Sequence, residues 1–172
     1  MTADIRVRLL ATVGLTALLT ACGYAVSVNE RVVYTPPTLF TDYRLDDRVL
    51  HTCVEQSIID QGVSEAAALR RLDCSHAGIR SLAGIEIFTG IEELNLAENE
   101  LKDVAPLASL SRLKLVLLNK NQLESAAPLL ALLHLERLEL RDNPSLACGD
   151  LAQLQSNYAD QPLVLLKPAQ CS

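Results

Sequence analysis

The sequence predicts an α/β solenoid, a short stack of similar coils that each add one strand to a parallel sheet. Two observations support this prediction. Residues 69–147 superpose on themselves when the chain is shifted by about 22 residues, a typical repeat period. Apolar residues make up 49% of the chain but aromatic residues only 3%, and tryptophan is absent. A core made largely of leucine and alanine suits a repetitive architecture better than an irregular one.

Four units follow one another at this period, each with the pattern L-x-x-L-x-L-x-x-N-x-L. Because side chains alternate along a strand, the leucines of the L-x-L segment point into the stack and the intervening residues point outward. The first unit departs from the pattern at Cys74 and Ala77, which a terminal unit tolerates because it has only one neighbour. The units begin at Leu69, Ile91, Leu113 and Leu135, and their asparagines are Asn99, Asn121 and Asn143.

This pattern resembles the leucine-rich repeat family over roughly residues 40–171. The pairs Pro106-Leu107 and Pro128-Leu129 resemble internalin-like 22-residue repeats in particular. The resemblance implies parallel strands, end caps and a surface for binding rather than a catalytic site. It also implies that the repeat asparagines form a ladder, in which each buried amide bonds to neighbouring backbone groups.

We expect residues 42–68 to form a helical N-terminal cap that covers the open end of the first unit. Gly62 is suited to end the first helix, and Ser64 to cap a second, short helix. The first helix is indicated by apolar residues at a spacing of four, which are Leu45, Val49 and Cys53, flanked by Leu50, Val54 and Ile58.

Residues 148–172 predict a C-terminal cap at the other end of the stack. Asp150 and Gln153 have the spacing of a capping box, so we expect a short helix here. Residues 162–166 predict a final extended segment. The residues that should face the core from the helix are Leu151, Leu154 and Tyr158.

The N-terminal residues 1–21 have the features of a secretory signal: arginines first, then an uncharged run from Leu9 to Ala21. The run ends in Leu19-Thr20-Ala21-Cys22, which resembles the lipobox of bacterial lipoproteins. That resemblance implies cleavage before Cys22 and a thioether-linked diacylglycerol on its sulfur. Gly23 follows, rather than the aspartate that favours inner-membrane retention, so we expect an anchor in the outer membrane of the bacterial cell envelope.

Other interpretations of this segment remain open. The uncharged run continues to Asn29, so a single transmembrane helix is one alternative. A cleaved signal with an incidental cysteine is another. In the lipoprotein interpretation, residues 22–41, which contain Pro36-Pro37 and little amphipathic pattern, form an extended tether.

The other four cysteines allow three disulfide pairings. We favour Cys53–Cys74, because Cys53 lies on the helix that covers the first unit and Cys74 points into that unit. We also favour Cys148–Cys171, because these residues bracket the C-terminal cap. Each bridge would hold an end that lacks a neighbouring coil, contributing about 2–4 kcal/mol. Free buried thiols are the alternative.

Nothing in the sequence predicts an enzyme, a cofactor or a metal site. The histidines, His51, His76 and His134, fall in different elements, and no hydrolase or phosphate-binding motif occurs. The formal net charge of −6 argues against nucleic acid as a partner, since no basic surface is available to neutralise phosphates.

The outward face of the strands therefore remains as the predicted site, with another protein as its partner. Leu115 and Leu117 stand out because two leucines there would face solvent among charged residues. The alternative is a structural envelope spacer or adaptor without a specific ligand. The predicted partner-binding residues are Glu93, Asn95, Leu115, Leu117, Asn119, Arg137, Glu139 and Arg141.

Overall fold

A computed structural model describes residues 26–28, 31–34 and 38–171, which divide between Pro36 and Pro37 into two units. In the first unit, strand β1 (Val26–Val28) pairs antiparallel with β2 (Arg31–Tyr34). Their β-branched residues suit paired strands. We had not anticipated this hairpin within the predicted tether. The predicted signal segment and Cys22 lie outside the described residues.

In the second unit, helix α1 (Arg48–Gln61) begins at Asp47, whose Oδ1 accepts hydrogen bonds from the N–H groups of Val49 (2.8 Å) and Leu50 (3.1 Å). It ends at Gly62, which has the left-handed conformation (φ 62°), as predicted. None of the helices among the described residues is long and apolar enough to cross a bilayer.

One prediction about the N-terminal cap was wrong, that of a helix capped by Ser64. The predicted first helix is present, and its buried face carries Leu50, Val54 and Ile58, while Val49 is 41% exposed. The apolar stripe that contains Val49 and the one that contains Leu50 both have the spacing of a helix. Contact between α1 and the first coil, rather than the spacing, determines which side chains are buried. Ser64 does not cap a helix. A single 3-10 turn, Ala66–Ala68, lies before the next strand, and its N-cap residue is Glu65, not Ser64.

The repeats form a five-stranded parallel sheet in which each strand is followed by a turn and, on the opposite side, a short helical segment. Strands pair in sequence order. Residues 22 apart lie side by side in the first four strands, as Arg71 does beside Glu93, and residues 27 apart do so in the last two. This arrangement confirms the predicted solenoid. The strands are β3 (Arg71–Asp73), β4 (Glu93–Asn95), β5 (Leu115–Leu117), β6 (Arg137–Glu139) and β7 (Val164–Leu166); the 3-10 segments are Ile85–Ile87, Ala105–Ser109 and Ala127–Ala131.

Buried asparagines connect each coil to the previous one. Asn121 is 4% exposed, and its Nδ2 donates to the carbonyls of Leu96 (2.9 Å) and Leu118 (3.1 Å). Its Oδ1 accepts from the N–H of Leu101 (3.0 Å). One amide thus bonds to backbone on two coils, which a side chain with both donor and acceptor can do. Asn99 and Asn143 make the equivalent contacts in their own coils.

The C-terminal cap contains helix α2 (Gly149–Asn157), with Leu151, Leu154 and Tyr158 buried as predicted. The capping box was a wrong prediction, because the helix starts before Asp150. Asp150 Oδ2 instead accepts from Ser125 Oγ (2.8 Å) and the N–H of Ala126 (3.0 Å), which ties α2 to the preceding coil.

Two disulfides, Cys53–Cys74 and Cys148–Cys171, stabilise the two caps. The first attaches α1 to the first coil. The second, with the 3-10 turn Ala169–Cys171, closes the C-terminal cap. Both are the pairings favoured from the sequence.

Replacing Asn121 with alanine should lower the free energy of unfolding by about 1–3 kcal/mol, because buried backbone groups on two coils lose their partners. Urea denaturation measures this change. The matched control is Asn119→Ala, which removes a half-buried asparagine from the outer face and should change stability little. Equal midpoints for N121A and the unsubstituted protein would contradict the ladder.

Candidate binding face

The outward side chains of the five strands form a continuous surface, which we call the strand face. They flank the buried residues Leu72, Leu94, Val116, Leu138 and the half-buried Leu165, and the parallel register aligns them in two columns. One column is Arg71, Glu93, Leu115, Arg137 and Val164; the other is Asp73, Asn95, Leu117, Glu139 and Leu166.

Leu115 and Leu117 lie at the centre of the strand face. Both are half-buried rather than open to solvent, because each lies between two side chains of its own column: Glu93 and Arg137 beside Leu115, and Asn95 and Glu139 beside Leu117. Together with the outward residues of β3 and β4 they line a shallow hollow of about 360 Å³. The two leucines therefore lie together on the outer face, as predicted, but neither is fully open to solvent.

The β3–β4 side of this hollow is polar and internally bonded. Asn95 Nδ2 donates to Asp73 Oδ2 (3.0 Å), and Asn95 Oδ1 accepts from the N–H of Ala97 (3.1 Å). Burial raises the pKa of Asp73, but hydrogen bonds from Ser75 and Asn95 outweigh it and the net shift is downward. Asn95, predicted to contact a partner, is thus held in place by its own protein, whereas Glu93 beside it is exposed.

Glu139 does not offer the free carboxylate that we predicted for partner binding. It is only 6% exposed and is enclosed by two arginines. Arg137 Nη2 lies 3.2 Å from one carboxylate oxygen, and Arg141 Nε donates to the other at 2.8 Å. Burial raises the pKa of Glu139. The hydrogen bonds and positive charges of the two arginines lower this pKa by a larger amount, so the net shift is downward. Two guanidinium groups share one carboxylate, which leaves an excess positive charge on the strand next to Leu115 and Leu117.

Two rows of charged residues border the strand face. On one border, Glu92 pairs with Arg70 (3.4 Å) and Lys114 (2.7 Å). On the other, Glu98 lies 3.1 Å from His76 and 2.9 Å from Lys120. Hydrogen bonds from Lys114 and Lys120 lower the pKa of the two glutamates. Because signs alternate from coil to coil, most border charges already have partners in their own chain.

The sequence prediction missed Val164 and Leu166, which extend the columns to a fifth strand. The extended segment predicted over residues 162–166 does contain this strand. It follows α2, however, and falls outside the 22-residue period, so its residues could not be aligned with the columns. In the part of the chain that the structure describes, no group of three metal-ligating side chains comes together.

Comparison with known proteins identifies the architecture. No family model matches the chain, and no curated protein does. An internalin C2 from Listeria monocytogenes, known from a crystal structure, matches with a TM-score of 0.58 and 21% identity, over 69% of this chain and 53% of that chain. The chain thus spans about half the length of that internalin. The protein has the leucine-rich repeat fold.

Two other solved structures match less well. The CBM51-2 and INT domains of Clostridium perfringens ZmpB match with a TM-score of 0.41 and 23% identity, over 51% of this chain and 19% of that chain. The functional domain of InlJ from Listeria monocytogenes matches with a TM-score of 0.36 and 16% identity, over 56% of this chain and 32% of that chain. These scores are too low to add to the assignment of the leucine-rich repeat fold.

Replacing Glu139 with glutamine should destabilise this leucine-rich repeat stack by about 1.5–3 kcal/mol at pH 7, because two arginines lose a shared, largely buried carboxylate. The pKa of Glu139 is lowered from its usual 4.5 in the folded protein. Its ion pairs therefore stabilise fully above that pH and are lost as the pH falls through the folded pKa.

Urea denaturation of E139Q and the unsubstituted protein between pH 7 and pH 3 tests this prediction. The difference should shrink at the acid end, and the exposed control Glu93→Gln should show little difference at any pH. A difference for E139Q that stays constant down to pH 3 would contradict the ion-pair account.

Proposed function

We propose that this protein is a lipid-anchored protein of the bacterial cell envelope that binds another protein through its strand face. The observation that carries the proposal is the central hollow, where Leu115 and Leu117 lie between an internally bonded polar side and the arginines around Glu139. An apolar centre with a polar rim is typical of protein contact sites.

The size and charge of the strand face support a protein segment as the ligand. Adjacent strands lie about 4.8 Å apart, so the face measures roughly 19 Å from β3 to β7. That width suits a peptide, a loop or one small domain. The border charges are mostly paired within the chain, which leaves the hollow and the two arginines as the groups that can distinguish one partner from another.

The lipid anchor rests on the sequence alone. An uncharged stretch ending in Leu-Thr-Ala-Cys places the thiol of Cys22 where lipoprotein processing would acylate it. Several acyl chains, at about 0.8 kcal/mol per buried CH₂, would hold the protein stably in a bilayer. The two disulfides fit an oxidising compartment outside the cytosol.

Replacing Cys22 with serine should abolish lipidation, because a hydroxyl cannot form the thioether. Metabolic labelling with tritiated palmitate in a bacterial host, followed by immunoprecipitation, measures this. Serine 27 lies just beyond the box, so Ser27→Ala serves as the matched control and should label normally. An unlabelled wild-type protein, or a C22S variant that still labels, would rule out the anchor.

Replacing Leu115 and Leu117 together with glutamate should weaken partner binding by at least about tenfold, because two carboxylates would occupy the apolar centre. A photo-crosslinking residue introduced at position 119, in place of Asn119, would first identify the partner in intact envelopes. Titration with that partner would then measure its affinity for the protein and its variants. The control is Val49→Glu on α1, which lines a separate hollow of about 590 Å³.

Loss of affinity in the double variant alone supports the strand face as the site. Loss in V49E alone would move the site to α1. If wild-type envelopes yield no crosslinked partner, the recognition proposal fails and the spacer alternative is favoured.

A further inference from the structure

Among the described residues, strand β7 pairs with a strand on one side only, that of β6. The N–H of Val164 donates to the carbonyl of Glu136 (2.9 Å), and the N–H of Leu140 donates to the carbonyl of Leu166 (2.8 Å). In a parallel pair, alternate residues bond to the same neighbour. The N–H and C=O groups of Leu163, Leu165 and Lys167 therefore point away from β6, and within residues 38–171 no hydrogen bond reaches them.

The two edges of the sheet differ. At β3, helix α1 covers the edge: Gln61 Nε2 donates to the carbonyl of Arg71 (2.8 Å), and the Cys53–Cys74 disulfide holds the helix there. At β7, by contrast, the apolar side chains remain accessible. Val164 is 50% exposed, and the leucines beside it are half-buried. An open, apolar strand edge is a surface ready to pair with another strand.

We propose that a second copy of this chain pairs with β7, antiparallel, around a two-fold axis at Leu165. When the sequence is followed outward from Leu165 toward each terminus, nearly the same kinds of residue occur in the same order. Val164 would lie opposite Leu166, and Leu163 opposite Lys167, while Pro162 and Pro168 flank the segment symmetrically. In this register the free N–H and C=O groups meet in complementary pairs, as an isologous interface requires.

The charges at this edge favour the same arrangement. The border row Arg70, Glu92, Lys114 and Glu136 alternates in sign and ends with an acid beside Leu163. In the proposed pair, Lys167 of the second copy lies in the same row, two strand spacings or about 10 Å from Glu136 between Cα atoms. Two long side chains can span that distance when Lys167 Nζ exchanges its 3.4 Å contact with Gln155 Oε1 of its own chain for Glu136. The second copy then continues the alternation.

The pairing would join two five-stranded sheets into one. Val164 and Leu166 of both copies would form a single apolar patch across the axis, on the same side as the strand face. Cross-strand pairs of this kind are the unit of sheet stabilisation. The flanking prolines would limit the pairing to the short segment between them, because proline has no N–H to donate.

Sedimentation velocity of the full chain in density-matched detergent, over a range of concentrations, tests the proposal. The wild-type protein should show a reversible monomer–dimer equilibrium. V164E should weaken it at least tenfold by placing a carboxylate opposite leucine, and L166K should do so by placing an ammonium opposite valine. The control is Ile59→Glu, an equally exposed position (52%) on α1, which should leave the equilibrium unchanged.

The double variant V164E/L166K makes the test specific to the register. Each new carboxylate would lie opposite a new ammonium of the other copy, so dimerisation should recover relative to either single variant. Within one copy, the new charges lie beside Arg137 and Glu139, which favours folding of every variant. A wild-type protein that stays monomeric, a dimer that V164E leaves intact, or a double variant no better than the singles would overturn the proposal.

Discussion

The structure depends on one repeated interaction, the buried asparagine amide that bonds to the backbone of its own coil and of the preceding coil. Each amide satisfies carbonyls at the ends of two strands and one N–H in the turn beyond. Without it, those groups would be buried without partners, which destabilises the folded state. The asparagines therefore force successive coils to turn at the same place, which keeps the strands in register.

That register also determines the surface. The residue before each turn has the same left-handed backbone in every coil, with φ between 55° and 58°. The side chains at this position are therefore stacked from coil to coil. They form a border row that begins at His76 and alternates in charge over Glu98, Lys120 and Asp142. The hollow around Leu115 and Leu117 arises in the same way, as two columns of outward residues. The leucines inside hold the coils together, and only the residues between them remain to meet a partner.

Periodicity explains which features could be predicted from the sequence. Strands β3 to β6, their register and their buried leucines follow from a spacing of 22 residues, since only one arrangement buries every leucine of the repeat pattern. The caps have no such repetition. For α1, two apolar stripes fit a helix equally well. The contact of α1 with the first coil leaves Val49 exposed. For Asp150, the local spacing indicated a cap, but Ser125 and Ala126 on the preceding coil were better partners. The sequence correctly predicted that Glu139 lies on the strand face, but it did not predict that two arginines bury its carboxylate.

Amide hydrogen exchange at the asparagine ladder tests this account most directly. The N–H groups of Ile79, Leu101 and Leu123 lie outside every strand and helix, and each donates to an asparagine side chain. If the ladder holds the coils, these amides should exchange as slowly as those of the central strand β5, and far more slowly than the exposed neighbour Lys102. Exchange of all three at the rate of Lys102 would show that the coils are held together in some other way.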